Sequence, residues 1–485
     1  HRFGRRRFLK NTAVAAGAFA GVRLFGAPNI LADAKPNSKL GIAVVGTGGQ
    51  GTGAHVPPAS RERLIALVDA DDKRLDTAMK KAAESNKDLK IDEVKRFNDY
   101  RKMFDAVGKD LDGIIVATPN HHHCLPALLA MKLGKGAYVE KPMSWSVQEA
   151  RTMAEWSRKY KVATQMGNQG HCGEHYRLLC EYVAANSVGA IREVHCWSDR
   201  SNGGTGPRPP AKPVPAGFHW DEWIGPAPFR DYHDDLHPHE WHGWYDFGDG
   251  SIGNMGCHVM DGAVWALNLK HPASLEVEEL GGGSEERYPT GCRLRYDFPA
   301  RGEMPPLKLY WYDGRKKGLK SVEKGETSDS VGKGSQNLPP LHLELEKKYG
   351  KEGYAGFGQS NGTLYVGEKG ILFSPNDYGA SYRFAGEFAK DIEEAAKKVP
   401  ETLPRNGKGD SGMKEEWVRA MRSGEPNIAL SNFDYAGALT EFILLGNVAM
   451  RTGKKLQWDG AELRATNCPE AAQFVKREYR SGWTL

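Results

Sequence analysis

A glycine-rich turn near the start of the chain constrains its fold more than any other feature. The apolar run Gly41–Val45 predicts a buried strand, and the turn follows that run directly. The turn fits the pattern G-x-G-x-x-G with Gly46, Thr47, Gly48, Gly49, Gln50 and Gly51. Such glycines let a pyrophosphate approach backbone N–H groups at a helix N-terminus. A chain with 57 glycines also produces chance matches, so a glycine turn in a nucleotide-free α/β domain is the alternative.

Short β-rich runs alternate with helical stretches as far as about residue 166. Strands are predicted at Gly41–Val45, Leu64–Val68, Gly113–Ala117, Ala137–Val139 and Val162–Gln165. Amphipathic helices are predicted between them at Asp71–Ser85, His122–Leu133 and Ser146–Lys159, whereas Pro57 and Pro58 predict that the first helix is short. This alternation indicates an α/β fold, with a parallel, doubly wound Rossmann domain over residues 35–166.

The pattern of the sequence changes after about residue 167, where predicted loops rich in proline and glycine become frequent. Strands are predicted at Ile191–Ser198, Leu275–Glu279, Cys292–Phe298, Leu307–Tyr312, Gly362–Val366 and Gly370–Ser374. Few helices are predicted before Asp391, then one amphipathic helix at Tyr435–Thr452, and residues 314–336 are expected to form a mobile loop. Residues 167–485 are therefore predicted to form an α+β domain with a large, mostly antiparallel open sheet.

The positive charge of the chain is concentrated in its first 34 residues. They hold six arginines and lysines against one aspartate, which accounts for the net charge of +5 of all 485 residues. The remainder is neutral, which argues against nucleic acid as a partner. No run of 18 apolar residues occurs, which argues against stable membrane insertion.

The same N-terminal stretch predicts an export signal. Residues 4–10, G-R-R-R-F-L-K, resemble a twin-arginine motif, and an Ala-rich apolar run and an Ala-Asp-Ala site follow. Residues 1–34 are therefore interpreted as a twin-arginine signal peptide and the protein as periplasmic, with an amphipathic N-terminal helix as the alternative. The seven cysteines form no C-x-x-C pair, so a disulfide framework is not expected.

Polar residues follow several of the predicted strands, at the edge where ligands of open α/β sheets bind. Asp69 ends the second predicted strand and is expected to accept hydrogen bonds from ribose hydroxyls. With Asp71 and Asp72 beside it and no arginine at position 70, NAD is favoured over NADP. The run 118–123, T-P-N-H-H-H, follows a strand; its three neighbouring histidines point in different directions, so a metal site is not expected there.

The segment from Phe218 to His258 is rich in aromatic residues and histidines. Nine aromatic residues lie between Phe218 and Phe247, and six histidines lie in the whole segment. One interpretation is a buried aromatic layer with surface histidines, and the other is a carbohydrate cleft, because sugar C–H faces stack on aromatic rings. Under the second interpretation, some of Trp241, Trp244 and Tyr245 contact a ligand.

Taken together, these motifs resemble the Gfo/Idh/MocA oxidoreductases. The resemblance rests on the glycine turn, on Asp69, on the 118–123 run, on V-E-K-P at 139–142 and on G-S-I-G-N-M-G-C-H-V-M-D at 250–261. It implies cofactor contacts from Gly46, Thr47, Gly48, Gly49, Gln50, Gly51, Asp69, Thr118, Pro119, Asn120, His123, Glu140, Lys141 and Asn168. It implies substrate contacts from Gln169, His171 and Asp261.

The resemblance also implies a catalytic set of Lys141, His258 and Asn254. Lys141 would hydrogen-bond the reacting hydroxyl, and His258 would accept its proton. Asn254 is a departure, because the family usually has aspartate there, and Asp261 or Asp246 are candidates to compensate.

Three functions are compatible with these residues. The first is an exported NAD-dependent oxidoreductase acting on a hydroxyl of a sugar or glycoside, with a tightly held cofactor. The second is a redox-neutral, NAD-dependent glycosidase that works by oxidation and elimination. The third is a non-catalytic sugar or NAD sensor. The resemblance further implies a homodimer or homotetramer formed through the sheet of the second domain.

Overall fold

The structure is a computed structural model that describes residues 39–315, 318–324, 336–349, 360–379, 381–406 and 409–484. The predicted signal peptide at residues 1–34 lies outside the described residues, and so does much of the loop predicted at residues 314–336.

Six parallel strands form the first sheet, in the order β3-β2-β1-β4-β5-β6. The strands are β1 Gly41–Val45, β2 Arg63–Val68, β3 Lys95–Phe97, β4 Gly113–Val116, β5 Gly136–Val139 and β6 Thr164–Met166. The main helices between them are Val56–Arg61, Asp72–Ser85, Tyr100–Val107, Cys124–Lys132 and Val147–Tyr160. The predicted Rossmann sheet is confirmed, with β3 added, and its order reverses between β1 and β4.

Local sequence explains where these helices begin. The Asp71 side chain accepts a hydrogen bond from the N–H of Lys73 and caps the second helix. Ser146 and Glu149 form a reciprocal capping box at the helix Val147–Tyr160. The first helix is only six residues long, as predicted, and follows one π-helical turn at Gly51–His55.

Ten strands form the second sheet, in the order β14-β13-β12-β7-β10-β9-β8-β15-β16 with β11 paired to β8. Their bounds are β7 Ile191–Ser198, β8 Ser274–Gly281, β9 Gly291–Phe298, β10 Leu307–Gly314, β11 Lys320–Ser321, β12 Asn361–Gly367, β13 Ile371–Ser374, β14 Arg383–Ala385, β15 Leu456–Asp459 and β16 Arg464–Ala465. Only the pair β7–β10 is parallel, so the predicted mostly antiparallel sheet is confirmed.

The prediction of few helices before Asp391 is wrong. The structure has helices at Glu174–Ala184, Trp220–Ile224, Gly250–Val259, Asp261–Ala266 and Pro340–Tyr349, and then at Ala389–Ala396, Gly409–Ser423, Phe433–Thr452 and Ala472–Val475. The helix Gly250–Val259 holds three glycines, which lower intrinsic helix propensity. Tertiary packing forms it instead, because Gly256 lets Ile443 approach its backbone closely.

The helix Phe433–Thr452 joins the two sheets. It is buried on nearly every side, so the prediction of an amphipathic helix is wrong. Gly437 packs against Ala150 and Ala154 of the first domain, and Gly446 packs against Tyr296 of the second sheet. One continuous hydrophobic core therefore runs through both domains.

The helix Gly409–Ser423 lies late in the chain but packs on the first sheet. Trp417 is 1% exposed, and its indole N–H donates to the carbonyl of Ala163. Gly113 of β4 and Gly136 of β5 make this approach possible, since a Cβ atom at either would lie under 3.0 Å from Trp417 or Met421.

None of the described helices is both long and apolar enough to cross a membrane.

Candidate active site

A cleft of about 640 Å³ lies at the carboxyl ends of the strands in the first sheet. Its lining comes from the first domain and from loops and a helix of the second domain. Of the residues predicted from sequence, the cleft is lined by Gly46, Gly48, Gly49, Gln50, Asp69, Thr118, Pro119, Asn120, His123, Glu140, Lys141, Gln169, Trp241, Asn254 and His258. The switch point of the strand order lies beneath it, where open α/β sheets bind ligands.

The glycine loop has the shape of a dinucleotide cradle. Gly46 has a φ of +89°, and a Cβ atom there would lie 2.5 Å from the Ala117 carbonyl carbon, so only glycine fits without strain. Gly48 and Gly49 border the cleft, and a Cβ atom at either would meet no protein atom within 4 Å. The loop backbone is thus open on its cleft side, as a bound pyrophosphate requires.

Asp69 holds the glycine loop against the end of β2. Its Oδ2 accepts from the Thr47 N–H at 2.6 Å and from the Thr47 hydroxyl at 3.1 Å. Its Oδ1 accepts from the Asp71 N–H at 2.9 Å. Burial raises the Asp69 pKa, although these hydrogen bonds oppose the shift. Arg74 lines the cleft at the same end, and sequence reasoning missed this cation.

The three consecutive histidines are structural. The carbonyl of Trp223 lies 2.9 Å from ring nitrogens of both His121 and His122, and His123 bonds the Pro142 and Thr118 carbonyls. Burial lowers the pKa of all three and brings that of His122 to about 4. Within the described residues, no group of three or more His, Cys, Asp or Glu side chains could hold a metal ion.

Glu140 and His55 form a buried ion pair beside the cleft. The His55 Nε2 lies 2.9 Å from the Glu140 Oε1. Burial would raise the pKa of Glu140, but the hydrogen bond and charge of His55 and the charge of Lys141 hold it at about 2. The Lys141 N–H also contacts the Glu140 carboxylate at 3.3 Å. This pair fixes the backbone from which the Lys141 side chain projects.

Lys141 is bound by neutral amides. Its Nζ donates to the Asn254 side-chain oxygen at 2.7 Å and to the Asn254 backbone carbonyl at 3.0 Å. The Asn254 amide nitrogen in turn donates to the Asn202 side-chain oxygen at 2.9 Å. Burial lowers the Lys141 pKa, and Glu140 opposes that shift. Asp261 bonds His171 and Asp246 bonds Arg230. Among the described residues no carboxylate lies within 4.0 Å of a His258 ring nitrogen, so neither aspartate compensates there for Asn254.

His258 lies one helical turn after Asn254 and lines the same cleft. It is 3% exposed, and its Nδ1 has no hydrogen-bond partner among the described residues. Burial, with a contribution from Lys141, places its pKa well below the ordinary value of imidazole. The ring is therefore neutral at physiological pH, which is the form that accepts a proton.

Sequence reasoning missed the residues that close the cleft beside His258. Arg200 comes two residues after the end of β7, and Asp377 and Tyr378 come from the loop between β13 and β14. No motif marks these positions, since each is a single residue in an irregular loop.

Residues 217–242 fold over the edge of the first sheet, and we call this segment the cover. Its backbone pairs with the first domain through hydrogen bonds from the His219 N–H to the Ala70 carbonyl and from the Asp72 N–H to the Gly217 carbonyl. The His237 ring lies 3.1 Å from the Asp71 carboxylate. Trp223, His237, Trp241 and His242 of the cover line the cleft, so its aromatic cluster is both a buried layer and a cleft wall.

Seven residues predicted to bind ligand lie outside the cleft wall. They are Thr47, Gly51, Asn168, His171, Trp244, Tyr245 and Asp261. Thr47 bonds Asp69, and Gly51 packs on the carbonyl of Gly46. The Asn168 side-chain oxygen accepts from the Ser431 hydroxyl.

The other four of these residues belong to buried structural contacts. The buried His171 ring lies 3.1 Å from the Asp261 carboxylate, and the Tyr435 hydroxyl donates to Asp261 at 2.6 Å. Trp244 is fully buried, and its indole N–H donates a hydrogen bond to the Asp235 carbonyl. The Tyr245 ring lies edge-on to the Tyr288 ring.

Comparison with known proteins gives two matches to family models. Residues 40–168 match an oxidoreductase family with an NAD-binding Rossmann fold, and residues 196–284 match the C-terminal α/β domain of the same family, Gfo/Idh/MocA. These matches fall on the two domains that hold Lys141 and His258.

Individual relatives are more distant. The rhizopine catabolism protein MocA of Rhizobium meliloti is 23% identical over 50% of this chain and 61% of its own length. A glycosyl hydrolase family 109 protein of Solibacter usitatus is 31% identical over 34% of this chain and 37% of its own. The chain thus spans less than two thirds of either relative.

Solved structures share the fold. The WlbA dehydrogenase of Chromobacterium violaceum, in complex with NADH and UDP-GlcNAcA, superposes with a TM-score of 0.54. The match covers 87% of this chain and 97% of that one at 16% sequence identity, so it shows the fold alone.

Proposed function

The chain belongs to the Gfo/Idh/MocA oxidoreductase family, and from that premise we propose that it is an exported NAD-dependent oxidoreductase of sugars or glycosides. It removes a hydride from a carbon that bears a hydroxyl group, and the acceptor is a tightly held nicotinamide. The observation that carries the proposal is the convergence of Lys141, Asn254 and His258 in the cleft of the glycine loop.

The residues of the cleft fit the dinucleotide that the family binds. The open backbone of Gly48 and Gly49 leaves room for a pyrophosphate, and Asp69 lies where ribose hydroxyls are held in Rossmann domains. Asp69, with Asp71 next to it, favours NAD, whose ribose carries no 2′-phosphate. When bound, nicotinamide supplies the hydride acceptor at the end of the cleft that Lys141 and His258 line.

Lys141 and His258 have different roles toward the substrate hydroxyl: the lysine binds its oxygen and the histidine accepts its proton. The Lys141 ammonium makes two hydrogen bonds to Asn254 and keeps a third hydrogen for the hydroxyl oxygen of a substrate. His258 is neutral and accepts the hydroxyl proton at an imidazole nitrogen as the carbon becomes a carbonyl. Burial of both groups strengthens these interactions, because water is excluded.

The cover supports retention of the cofactor between turnovers. It is bonded to the first domain at Ala70, Asp71 and Asp72, beside the Asp69 end of the cleft. Because residues of the cover line the cleft, its contacts with the first domain would help to hold a bound dinucleotide in place. Retention suits an enzyme exported by the twin-arginine pathway, as the N-terminal arginine motif suggests, because free NAD would not be supplied outside the cytoplasm.

A second candidate is redox-neutral glycoside cleavage by oxidation, elimination and re-reduction. Two observations favour it: the neutral Asn254 at the side of Lys141, and the 31% identity to a glycosyl hydrolase family 109 protein. In such a cycle the electrons return to the substrate, so a retained cofactor needs no external oxidant.

We further propose that the protein forms a homodimer or homotetramer through the outer face of the second sheet. That face carries cross-strand ion pairs between Arg295 and Glu276 and between Arg293 and Glu278. Alternating charges of this kind are self-complementary in a twofold contact. Light scattering of wild type and Arg295→Glu is the corresponding measurement, and a monomeric wild type would contradict this part.

Single-turnover reactions of the purified protein with its co-purified cofactor test the function. Free sugars and aryl glycosides are mixed with the protein while NADH absorbance and products are followed together. Stoichiometric NADH with a keto-sugar product, absent in His258→Ala, would support the dehydrogenase.

The other outcomes separate the alternatives. Release of aglycone over many turnovers, with no net NADH at the end, would replace net oxidation by the redox-neutral glycosidase. Bound NAD without any reaction across the panel would contradict both enzymatic functions and leave a sensor.

A further inference from the structure

Tyr378 stands on the cleft side of His258. The two ring centroids are 4.9 Å apart and the planes meet at 74°, an edge-to-face contact. Tyr378 is 44% exposed although it borders a cleft, whereas His258 is 3% exposed. The tyrosine ring therefore packs against the histidine and presents part of its own surface to the cleft.

Hydrogen bonds and close packing fix the position of the Tyr378 backbone relative to His258. The Tyr176 hydroxyl lies 2.5 Å from the His258 carbonyl and 3.1 Å from the Asp377 carbonyl, so one buried phenol joins the two segments. The Tyr378 N–H donates to the Asn376 side chain at 3.0 Å. Gly379 has a φ of +63°, and a Cβ atom there would lie 2.3 Å from the Tyr176 ring. These contacts fix the conformation of the loop that carries Tyr378.

Both the ring and the hydroxyl of Tyr378 suit a sugar. The exposed ring surface can stack on C–H groups, and the hydroxyl stays protonated because burial raises its pKa. Lys141 and Asn254 line the same cleft. A sugar stacked on this ring would share that cleft with the polar groups that handle its hydroxyl.

We propose that Tyr378 is a specificity-determining residue of the cleft, on which a sugar ring stacks and which shields His258 from water. This inference rests on the proposed function for its sugar component. The shielding component concerns the protein alone and is measured without turnover.

The first experiment titrates labelled histidine by NMR in wild type, Tyr378→Phe and Tyr378→Ala, each in the full chain with its cofactor. In Tyr378→Ala, water reaches His258, so its pKa should rise by about one unit or more toward the ordinary value. Lys141 and Glu140 are the charged groups that act on His258, and both remain in every variant. Tyr378→Phe keeps the ring and should match wild type.

The second experiment measures KM and kcat with D-glucose, myo-inositol and an aryl glycoside. Tyr378→Ala should raise KM about three- to tenfold through loss of stacking, with a smaller effect on kcat. Phe229→Ala is the control, since that ring is 60% exposed and lies outside the cleft wall. Tyr378→Ala with wild-type His258 pKa and wild-type KM would overturn the proposal.

Different results would contradict the proposed function and the inference about Tyr378. If wild type oxidises and cleaves none of the probes, the proposed function fails, and the sugar component of this inference fails with it. The NMR titration still decides the shielding component, and an unchanged His258 pKa in Tyr378→Ala would overturn that as well.

Discussion

The two walls of the cleft are built in different ways. The cofactor wall comes from the ends of the parallel strands β1, β2, β4 and β5. It consists of residues 46, 48–50, 69, 118–120, 122–123 and 140–141. The substrate wall, residues 200, 254–255, 258 and 377–378, comes from a loop after β7, a glycine-rich helix and a loop between β13 and β14. Local motifs define the first wall, whereas tertiary packing brings together the separate segments that form the second. Substitutions in the two walls should therefore impair the protein in different ways.

The largest effect is expected where the two walls meet. Lys141→Met removes the ammonium group that bonds Asn254, and turnover should fall roughly a thousandfold while the protein still folds. Single-turnover rates and thermal unfolding measure the two properties. Lys132→Met, at the exposed end of a helix, is the control and should resemble wild type. A Lys141→Met protein within tenfold of wild type would remove this lysine from the mechanism.

Within the cofactor wall, two glycines should respond in opposite ways. Gly46→Ala meets the Ala117 backbone and a positive φ, so the free energy of unfolding should fall by about 3 kcal/mol. Gly48→Ala meets no protein atom, so the fold should keep its stability while NAD binds about tenfold more weakly. Urea unfolding and calorimetric NAD binding separate the two effects. Equal destabilisation by both substitutions would contradict a loop that is open on its cleft side.

Asp249 joins the two walls and should make stability depend on pH. Its carboxylate accepts from Asn120 at 2.8 Å, and it precedes the helix that carries Asn254 and His258. Burial raises its pKa from 3.8 to about 8. Between these values the unfolded chain has lost a proton that the folded protein keeps, so the unfolding free energy falls as pH rises.

Asp249→Asn removes this titration while its side-chain oxygen can still accept from Asn120. Relative to wild type, the variant should gain about 4 kcal/mol between pH 5 and pH 8. Urea unfolding at both pH values measures the difference. Identical pH dependence in the two proteins would show that Asp249 ionises normally.

The smallest effect is expected at the cover. His237→Ala removes the contact with Asp71 and should speed release of bound NAD about fivefold, a change of about 1 kcal/mol. Stopped-flow exchange against a fluorescent NAD analogue measures the rate. His239→Ala borders the same cleft without a bond to the first domain, so it serves as the control. Equal rates in all three proteins would mean that the cover does not retain the cofactor.

The cofactor wall could be predicted from sequence because each of its motifs follows a strand. Parallel strands end at one edge of a sheet, so residues after β1, β2, β4 and β5 meet without knowledge of the remaining packing. Lys141 and His258 also came from motifs, through the family resemblance. The strand β3 was missed because it has three residues and no apolar run.

The substrate wall could be predicted only in part. His171, Trp244 and Asp261 have suitable side chains, but packing turns them into the core and to structural partners. Sequence composition cannot tell which side of an aromatic layer faces a cleft. Tyr378 and Arg200 lack any motif, because a loop residue reaches the site only through the position of its neighbours.

The helix Gly409–Ser423 bears on how the protein is made. Trp417 and Met421 cover Gly113 and Gly136, so strands β4 and β5 cannot bury this face until residue 423 has left the ribosome. This face of the first sheet is therefore completed only after nearly the whole chain has been synthesised, through contacts of high sequence separation.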